Sequence, residues 1–534
     1  MDKAKNAESL WRLVLALALA VLVWLPNAAY ANGTGELVVF HTNDMHARIL
    51  KGDDNGSSIG LAEIAAAVKS VRAKNPATLW LDAGDTLHGM PRINVSKGEN
   101  IIPLLNQSGM NVLVPGNHDF NYGFRQLVNL SKKLNFPVLS ANTVYKSNHK
   151  NAFASYKIYK LADGIKVGVF GLTTPEAAFK TSPSNVTEVE FLNPVDKSRK
   201  MIKKLRPKCD VVIAVMHMGV DASSEFTSER IARETDGIDL IVDGHSHTAL
   251  PDGLIVKNTL IVQTGWHEYK LGEVKIDIKD HRITGKKAQL LDADKVQELA
   301  PVPDPVISKT LADMEAANEK LFGEVVAHSE CALTSKRLIV RRKEAELGNL
   351  CADAFRWRTG ADIAVINGGG MRADLPEGDV TRGACLAIFP FGNTVQMAEV
   401  KGAVVREMLE HSVYGYPVSF GGFLDVSGVT FTFDATKSVG ERIVEVKVNG
   451  ELLDDNKTYT LASNDFLFSG GDDYEMLKDA KIVGEFNTCE EILADYINTV
   501  GMKNIETGRI TIVNDVPLPD EAADGDEVNY AEAA

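Results

Sequence analysis

Five short polar clusters in the first half of the chain hold the residues best suited to chemistry. All five are rich in histidine, aspartate or asparagine, and none contains cysteine. They are HTNDMH at residues 41–46, DAGD at 82–85, GNHD at 116–119, HMG at 217–219 and GHSH at 244–247. Ligands of these types suit Zn, Mn, Fe or Co rather than Ca or Mg alone. Seven candidate ligands are enough for two ions that share a carboxylate, and two ions about 3.5–4 Å apart can hold a phosphoryl group and generate hydroxide at neutral pH.

An apolar, strand-like run precedes each cluster. The runs cover residues 37–40, 78–81, 112–114, 211–215 and 240–242, and short β-branched runs bounded by turn residues are typical of buried strands. Because ligands gather beyond the strand ends of open α/β sheets, the five clusters are expected to form one metal site. Asp44 and His46 are separated by one residue, as are His245 and His247. That spacing places both side chains on the same side of an extended segment.

Each motif taken alone has an ordinary structural explanation. A single D-x-H or H-x-H pair is more often a surface or core histidine than a ligand. Asp82 and Asp85 could cap a turn, and His217 could be a core histidine with its hydrogen bonds satisfied. The metal hypothesis depends on all five clusters occurring together, each at the end of a strand.

The length of 534 residues predicts two large domains. Apolar runs alternate with helical patterns over residues 36–300, which predicts an α/β domain. A proline-rich break and an amphipathic pattern at residues 301–322 predict a connecting helix, and a second α/β domain is expected over residues 323–513. Residues 516–534 are acidic with few apolar anchors, which is typical of a disordered tail.

The N-terminus has the features of a signal peptide. Basic residues precede an apolar stretch at residues 13–25, and Ala29-Tyr30-Ala31 follows as a cleavage site. The stretch is shorter than the roughly 20 apolar residues of a membrane span. We therefore predict a signal peptide over residues 1–31 and export to the periplasm or the exterior, with an uncleaved anchor as the alternative.

Composition limits the partners. The net charge of −15 argues against binding to nucleic-acid polymers, which requires a basic face. The five cysteines have no C-x-x-C spacing, and their odd number predicts no particular disulfide pairing. The sequence predicts no oligomeric state.

The order H-T-N-D-x-H, D-A-G-D, G-N-H-[DE]-F, H-x-G and G-H-S-H resembles the calcineurin-like metallophosphoesterase superfamily. More narrowly, the chain resembles the secreted bacterial 5′-nucleotidases and their UDP-sugar hydrolase and cyclic-nucleotide phosphodiesterase relatives, from Leu37 to about Ile512. The resemblance implies an α/β/β/α sandwich, a helical connector and a second α/β, substrate-binding domain. It also implies two divalent ions, which could be Zn, Mn, Co or Fe.

The resemblance assigns each ion a set of ligands. One ion would be held by Asp44, His46, Asp85 and His247, and the other by Asp85, Asn117, His217 and His245. The carboxylate of Asp85 would bridge the two ions. The catalytic residues would be Asn117 and His118, with His118 facing the phosphate, where a protonated histidine offsets developing negative charge.

Two residues depart from the family pattern. Asn121 stands where many members have an aspartate that pairs with the histidine at 118, and an amide cannot stabilise an imidazolium as a carboxylate does. Either the pKa of His118 is lower than in those members, or another acid supports it. Some relatives with phosphodiesterase or 3′-nucleotidase activity resemble this sequence in carrying asparagine there. Ala47 replaces a common glycine, and we expect this change to be tolerated.

The second half contains NGGGMR at residues 367–372, PFGN at 390–393 and NDFLFSGGD at 464–472. A glycine-rich loop after a strand at 363–366 lets the backbone and an arginine approach an anion, although such a loop alone is weak evidence. Phe391 and Phe466 could be ordinary core aromatics. The resemblance instead implies that the two rings sandwich a base, which contributes about 1–3 kcal/mol per base. The substrate-binding residues it implies are Arg337, Arg341, Asn367, Gly369, Arg372, Phe391, Asn393, Phe466 and Asp472.

Together these features predict an exported dinuclear-metal phosphohydrolase in which metal-bound hydroxide attacks the phosphorus of a small nucleotide. Nucleoside 5′-monophosphates are the expected substrates, and UDP-sugars could also be cleaved. One alternative is a 2′,3′-cyclic nucleotide 2′-phosphodiesterase with 3′-nucleotidase activity. An alternative of another class is a nucleotide-binding protein whose catalytic site has decayed.

Overall fold

The computed structural model describes residues 33–53, 58–181, 183–221, 224–502 and 505–517. The predicted signal peptide lies outside these ranges, as does the predicted acidic tail beyond residue 517. Within the described ranges, no helix is both long and apolar enough to cross a membrane. All five cysteines are free thiols, of which only Cys331 is exposed.

The described residues of the first domain form thirteen strands and seven α-helices. The strands are β1 Gly35–Thr42, β2 Thr78–Asp82, β3 Val112–Leu113, β4 Thr143–Tyr145, β5 Tyr156–Lys160, β6 Lys166–Thr173, β7 Val189–Phe191, β8 Val211–His217, β9 Leu240–Val242, β10 Leu254–Val256, β11 Thr259–Val262, β12 Leu271–Lys279 and β13 Arg282–Leu291. The helices are α1 Leu61–Lys74, α2 Pro91–Asn94, α3 Ile102–Ser108, α4 Phe124–Lys133, α5 Pro194–Leu205, α6 Ser228–Glu234 and α7 Ala293–Leu299.

Two sheets lie face to face in this domain. Their strand orders are β13-β12-β1-β2-β3 and β10-β11-β9-β8-β6-β5. The apolar core between them takes Val39 and Leu81 from the first sheet and Val169 and Val215 from the second. Helices α1, α3 and α4 pack on the outer face of the first sheet, and α5 and α6 pack on that of the second. This arrangement confirms the predicted α/β/β/α sandwich.

The central strands explain how distant clusters meet. Strands β1, β2 and β3 are parallel, and so are β6, β8 and β9. Parallel strands end at the same edge of a sheet, so the segments that follow them lie side by side. The five strands predicted before the clusters are all present.

The connecting helix is α8, Pro305–Phe322, close to the predicted range. Asp304 caps its first turn by accepting hydrogen bonds from two backbone amides. Ile307, Leu311 and Met314 on α8 are buried in the core of the first domain. The helix is therefore packed on the first domain over much of its length.

The second domain contains the remaining strands and helices. The strands are β14 Val325–Ser329, β15 Ile363–Asn367, β16 Gly378–Thr381, β17 Thr394–Lys401, β18 Leu424–Ser427, β19 Val429–Asp434, β20 Ile443–Val448, β21 Glu451–Leu452, β22 Thr458–Asn464, β23 Lys481–Thr488 and β24 Ile510–Val513. The helices are α9 Arg337–Val340, α10 Glu346–Thr359, α11 Arg382–Ile388, α12 Gly402–Ser412, α13 Asp465–Phe468 and α14 Cys489–Thr499.

The main sheet of the second domain has the order β18-β15-β22-β17-β23. One face is covered by α10, α11 and α14, and the other by α12 and the four-stranded sheet β21-β20-β19-β24. The predicted α/β character of this domain is confirmed.

Candidate metal centre

Histidines and carboxylates from several strand ends converge at the edge of the first domain. Nε2 of His46 lies 3.2 Å from Nε2 of His247, and Nε2 of His247 lies 3.5 Å from Oδ1 of Asp44. In a second group, Nε2 of His217 lies 3.1 Å from Oδ2 of Asp85 and 3.8 Å from Oδ1 of Asp44. Within each group, ligand atoms of all members lie within 4.8 Å of one another. The structure thus brings together two adjacent sets of metal-ligand atoms that share Asp44.

Hydrogen bonds around His217 direct three potential metal-ligand atoms toward one another. Nδ1 of His217 donates to the carbonyl of Ala83 at 2.7 Å, so Nε2 of the neutral ring carries the lone pair. The amide of Asn117 donates to the carbonyl of Lys180, which turns Oδ1 toward Nε2 of His217 at 3.2 Å. Lone pairs of a histidine, an amide and the carboxylate of Asp85 therefore face one another. A divalent cation satisfies such a set, so these residues fit the predicted cofactor.

His245 is held by a partner that the sequence analysis missed. Its Nε2 lies 2.9 Å from Oε2 of Glu176, and its ring centroid is 5.0 Å from that of His217. A carboxylate on one ring nitrogen orients a ligating histidine and leaves the other nitrogen for the metal. Glu176 follows strand β6, which is parallel to β8. A search of every strand end for acidic residues would have found it.

The backbone of the clusters is turned rather than extended. Asp44, His46, Asp85, His245 and His247 all have positive φ angles, between 45° and 81°. The expectation that D-x-H and H-x-H place side chains on one side of an extended segment is therefore wrong. Non-glycine residues adopt this conformation rarely, and it is concentrated at functional sites. Buried Ala47 has φ 58°, so a glycine would meet less strain there.

Two carboxylates near the ligands have structural roles. Asp119 accepts backbone hydrogen bonds from Asp85, Thr86, Leu87 and Gly116, and therefore fastens two ligand loops together. Burial and the charge of Asp85 raise the pKa of Asp119 to about 6. Asp82 accepts from the hydroxyls of Thr42 and Thr86, and its burial raises its pKa to about 7.

The pKa of each buried titratable group in the site depends strongly on the charges of its neighbours. Burial raises the pKa of Asp85, but His217 and His118 outweigh it and hold the pKa well below its ordinary value. Burial lowers the pKa of His217, but Asp85 and Asp44 raise it to about 10. The pKa of His118 is likewise lowered by burial and raised, to about 9, by Asp85 and Glu485. These protons offset the buried carboxylate charge, and bound cations would compete with them.

His118 lies at the junction of the two domains. Its backbone N–H donates to Oδ1 of Asp85 at 2.8 Å, and its Nε2 lies 3.2 Å from Oε2 of Glu485 on β23. The backbone N–H of Glu485 donates to the carbonyl of Phe179 in the first domain. The acid that supports His118 in this arrangement is therefore Glu485. Sequence reasoning missed it because it lies 367 positions along the chain, on the other domain.

A cleft of about 940 Å³ lies between the domains. Its lining combines His46, Asp85, Asn117, His118, His245 and His247 with Phe391, Asn393 and Phe466. The rings of Phe391 and Phe466 are 52% and 40% exposed, so they are not core aromatics. Asn393 donates to the carboxylate of Asp465 at 2.7 Å.

The other predicted substrate residues lie apart from the metal ligands. Among the described residues that line the cleft, none is Arg337, Arg341, Asn367, Gly369, Arg372 or Asp472. These residues are near one another: Asn367 donates to Asp472 at 2.8 Å, and burial together with Arg337 and Arg372 lowers the pKa of Arg341. The guanidinium of Arg372 lies 5.7 Å from the ring centroid of Phe391. The structure therefore brings Arg372 to the phenylalanine, but places none of the three arginines in the cleft that the metal ligands line.

Comparison with known proteins covers both domains. A profile of the calcineurin-like phosphoesterases matches residues 37–249, and one of the 5′-nucleotidase C-terminal domain matches residues 325–479. The snake venom 5′-nucleotidase of Gloydius brevicauda is 30% identical over 543 residues, which cover 91% of this chain and 90% of the relative. The chain belongs to the 5′-nucleotidase family. As a member of that family, it is a metal-dependent phosphoric ester hydrolase.

Two further relatives of this 5′-nucleotidase family member come from bacteria. The trifunctional nucleotide phosphoesterase protein YfkN of Bacillus subtilis is 29% identical over 92% of this chain, which spans only 36% of that longer protein. The crystal structure of a 5′-nucleotidase precursor from Thermus thermophilus is 30% identical, with a TM-score of 0.54. It matches 90% of this chain and 100% of that one.

Proposed function

We propose that this chain hydrolyses nucleoside 5′-monophosphates at two divalent cations. One observation carries the proposal: two adjacent sets of metal-ligand atoms lie at or directly beneath the cleft that the exposed rings of Phe391 and Phe466 line. A metal pair without aromatic rings would suit many phosphate esters. Rings without ligands would suit a nucleotide carrier.

Asp44, His46, Asp85 and His247 would hold one cation, and Asp85, Asn117, His217 and His245 would hold the other. When bound, such a pair stabilises the negative charge of a phosphoryl group and lowers the pKa of water. The chain's own residues bind and orient the substrate. His118 presents Nε2 to the cleft, where it can donate a hydrogen bond to a phosphoryl oxygen. Phe391 and Phe466 offer ring faces to a base without selecting strongly among bases.

We further propose that substrate binding requires a rotation of the second domain. The arginine group of Arg337, Arg341 and Arg372 lies off the cleft, while Glu485 contacts His118. A carboxylate at this position repels a phosphate. Movement about the connector α8 would remove Glu485 and bring the arginines toward the metal ligands.

The runner-up activity is hydrolysis of 2′,3′-cyclic nucleotides and 3′-nucleotides. Asn121 favours it, because relatives with that activity resemble this chain in having asparagine there. A decayed, non-catalytic site is disfavoured because the seven predicted ligands are all present at the cleft or beneath it.

Phosphate release from a panel of substrates tests the proposal. AMP, 3′-AMP, cyclic 2′,3′-AMP, UDP-glucose and a non-nucleotide ester should be compared at equal concentration with Mn²⁺ or Zn²⁺ present. Preference for AMP supports the proposal, preference for the 3′ or cyclic substrate supports the runner-up, and binding without turnover supports the decayed site. Asp85→Asn should abolish release from every substrate.

Export is also proposed, from the features of residues 1–31. N-terminal sequencing of protein from the culture medium or the periplasm should give a chain that begins near Asn32. Recovery of the intact N-terminus from the membrane would contradict cleavage.

A further inference from the structure

The exposure of His247 sets it apart from the other predicted ligands. Its side chain is 41% exposed, whereas those of Asp44 and His217 are fully buried. Close packing fixes the rotamer of a buried ligand, but an exposed imidazole needs a neighbour that holds its ring. A hydrogen bond on one ring nitrogen orients His217 and also His245. The ring of His247 is held by a different kind of contact.

This contact is an aromatic stack between His247 and Trp266. The two ring centroids are 5.7 Å apart, and the ring planes meet at 26°. The indole is itself supported by Tyr269, whose ring centroid also lies 5.7 Å away. Because stacked rings pack best when they stay nearly parallel, the indole limits how far the imidazole of His247 can tilt.

The loop at residues 264–267, which carries the indole, is tied to the segment that supplies a metal ligand. Nδ2 of Asn43 donates to the carbonyl of Gly265 at 2.6 Å and to Oδ2 of Asp44 at 2.7 Å. The backbone N–H of His267 donates to the carbonyl of Asp44 at 2.8 Å. The residues on both sides of the indole are therefore fixed relative to a predicted ligand.

The same loop contacts a second predicted ligand. The ring of His267 meets the ring of His46 edge-on, with centroids 5.7 Å apart and an interplanar angle of 89°. His46 and His247 belong to the ligand set of one cation, and their Nε2 atoms are 3.2 Å apart. Two consecutive residues of the loop thus contact both histidines of that set.

We propose that Trp266 is a positioning residue that holds the imidazole of His247 toward Asp44 and His46. This role rests on the proposed function, because it takes His247 to be a ligand of a divalent cation. The indole acts by ring contact and not by a hydrogen bond. Another flat aromatic side chain at position 266 should therefore replace it, and an aliphatic one should not.

Calorimetric titration of the metal-free full-length chain with Mn²⁺ tests this role without turnover. The wild type should bind two cations. Trp266→Leu should weaken one binding event about 10-fold, as expected for the loss of a contact that orients a ligand, and leave the other unchanged. Trp266→Phe should restore most of the lost affinity.

Trp357→Leu is the matched control for the loss of an exposed indole. Trp357 is 40% exposed, packs edge-on against Tyr496 in the second domain, and is not among the described residues that line the cleft. Its replacement should leave both binding events unchanged. Weakening of both events by Trp266→Leu, without rescue by Trp266→Phe, would indicate general damage and overturn the positioning role.

A double variant shows whether Trp266 acts through His247. His247→Ala removes the imidazole and should weaken the same binding event. Adding Trp266→Leu to His247→Ala should then cost little further affinity, because no ring remains to be held. Additive costs of the two changes would overturn the positioning role.

The remaining outcomes separate this role from the proposed function. Two bound cations in the wild type with unchanged affinities in Trp266→Leu would reject only the positioning role. A higher KM for AMP in Trp266→Leu at unchanged cation affinity would assign the indole to the substrate and also overturn it. A wild type that binds fewer than two cations would reject the proposed function, and the positioning role with it.

Discussion

Replacing Glu485 with glutamine should make substrate binding tighter. The carboxylate of Glu485 lies 3.2 Å from Nε2 of His118, and the two side chains are only 8% and 13% exposed. Coulomb attraction at that distance is about 5 kcal/mol for an effective dielectric constant near 20. Desolvation offsets much of this, and hydrogen bonds to charged groups contribute about 1.5–3 kcal/mol net. Glutamine keeps the shape and removes the charge.

If this contact holds the protein in the arrangement with the arginines off the cleft, its loss shifts the population toward the binding-competent arrangement. The apparent affinity then improves by the same factor, about 10-fold or more for 1.5 kcal/mol. Steady-state phosphate release from AMP should therefore give a KM lowered about 10-fold for Glu485→Gln.

The matched control is Glu399→Gln, which removes an exposed acidic side chain that pairs with Lys481 at the start of β23. It should leave KM unchanged. Thermal unfolding of both variants excludes a general loss of structure. A KM for Glu485→Gln that is equal to or higher than that of the wild type would refute the idea that Glu485 competes with the phosphate.

Three further changes test other parts of the structure. Gly116→Ala would place a methyl group 2.1 Å from Oδ1 of Asp85, so cation affinity measured by calorimetry should fall about 10- to 100-fold. Phe466→Ala should raise KM for AMP about 10-fold and leave kcat unchanged, because base stacking contributes about 1–3 kcal/mol. Burial and Glu491 raise the pKa of Glu490 to about 8, so its contribution to stability is complete below its ordinary pKa and is lost as pH rises through about 8. Glu490→Gln should therefore raise the melting temperature more at pH 8.5 than at pH 5.

Each of these expectations has an outcome that contradicts it. Unchanged cation affinity in Gly116→Ala would show that the ligand loop can move away from the added methyl group. A fall in kcat with constant KM in Phe466→Ala would place the ring at the reacting atoms instead of the base. A melting-temperature difference for Glu490→Gln that does not change with pH would show that Glu490 is not protonated in the folded protein.

The sequence predicted which side chains come together better than it predicted the backbone that holds them. Alternation of buried strands and polar clusters was enough to place Asp44, Asp85 and His217 at one edge, because parallel strands end together. The left-handed conformation of His46 and His247 could not be predicted, since it depends on contacts with loops that are distant in the sequence.

Contacts between the two domains could not be predicted from the sequence, for a different reason. Glu485 is an ordinary strand residue in a segment without a recognisable motif, and it acquires its role only through the way β23 meets the first domain. Glu176 likewise gains its partner, His245, from tertiary packing. The resemblance to a family implied which arginines address the substrate, but not that they would lie off the cleft in this arrangement.

The central claim is that the ligands hold two cations and that both are needed for hydrolysis. The most direct measurement is the number of Mn²⁺ or Zn²⁺ ions per chain after dialysis, by elemental analysis, alongside phosphate release from AMP by the same samples. The account predicts two ions per chain in the active protein, fewer than two in Asp85→Asn, and loss of activity with the loss of either ion. Full activity with a single bound ion, or two bound ions with no nucleotide hydrolysed, would contradict it.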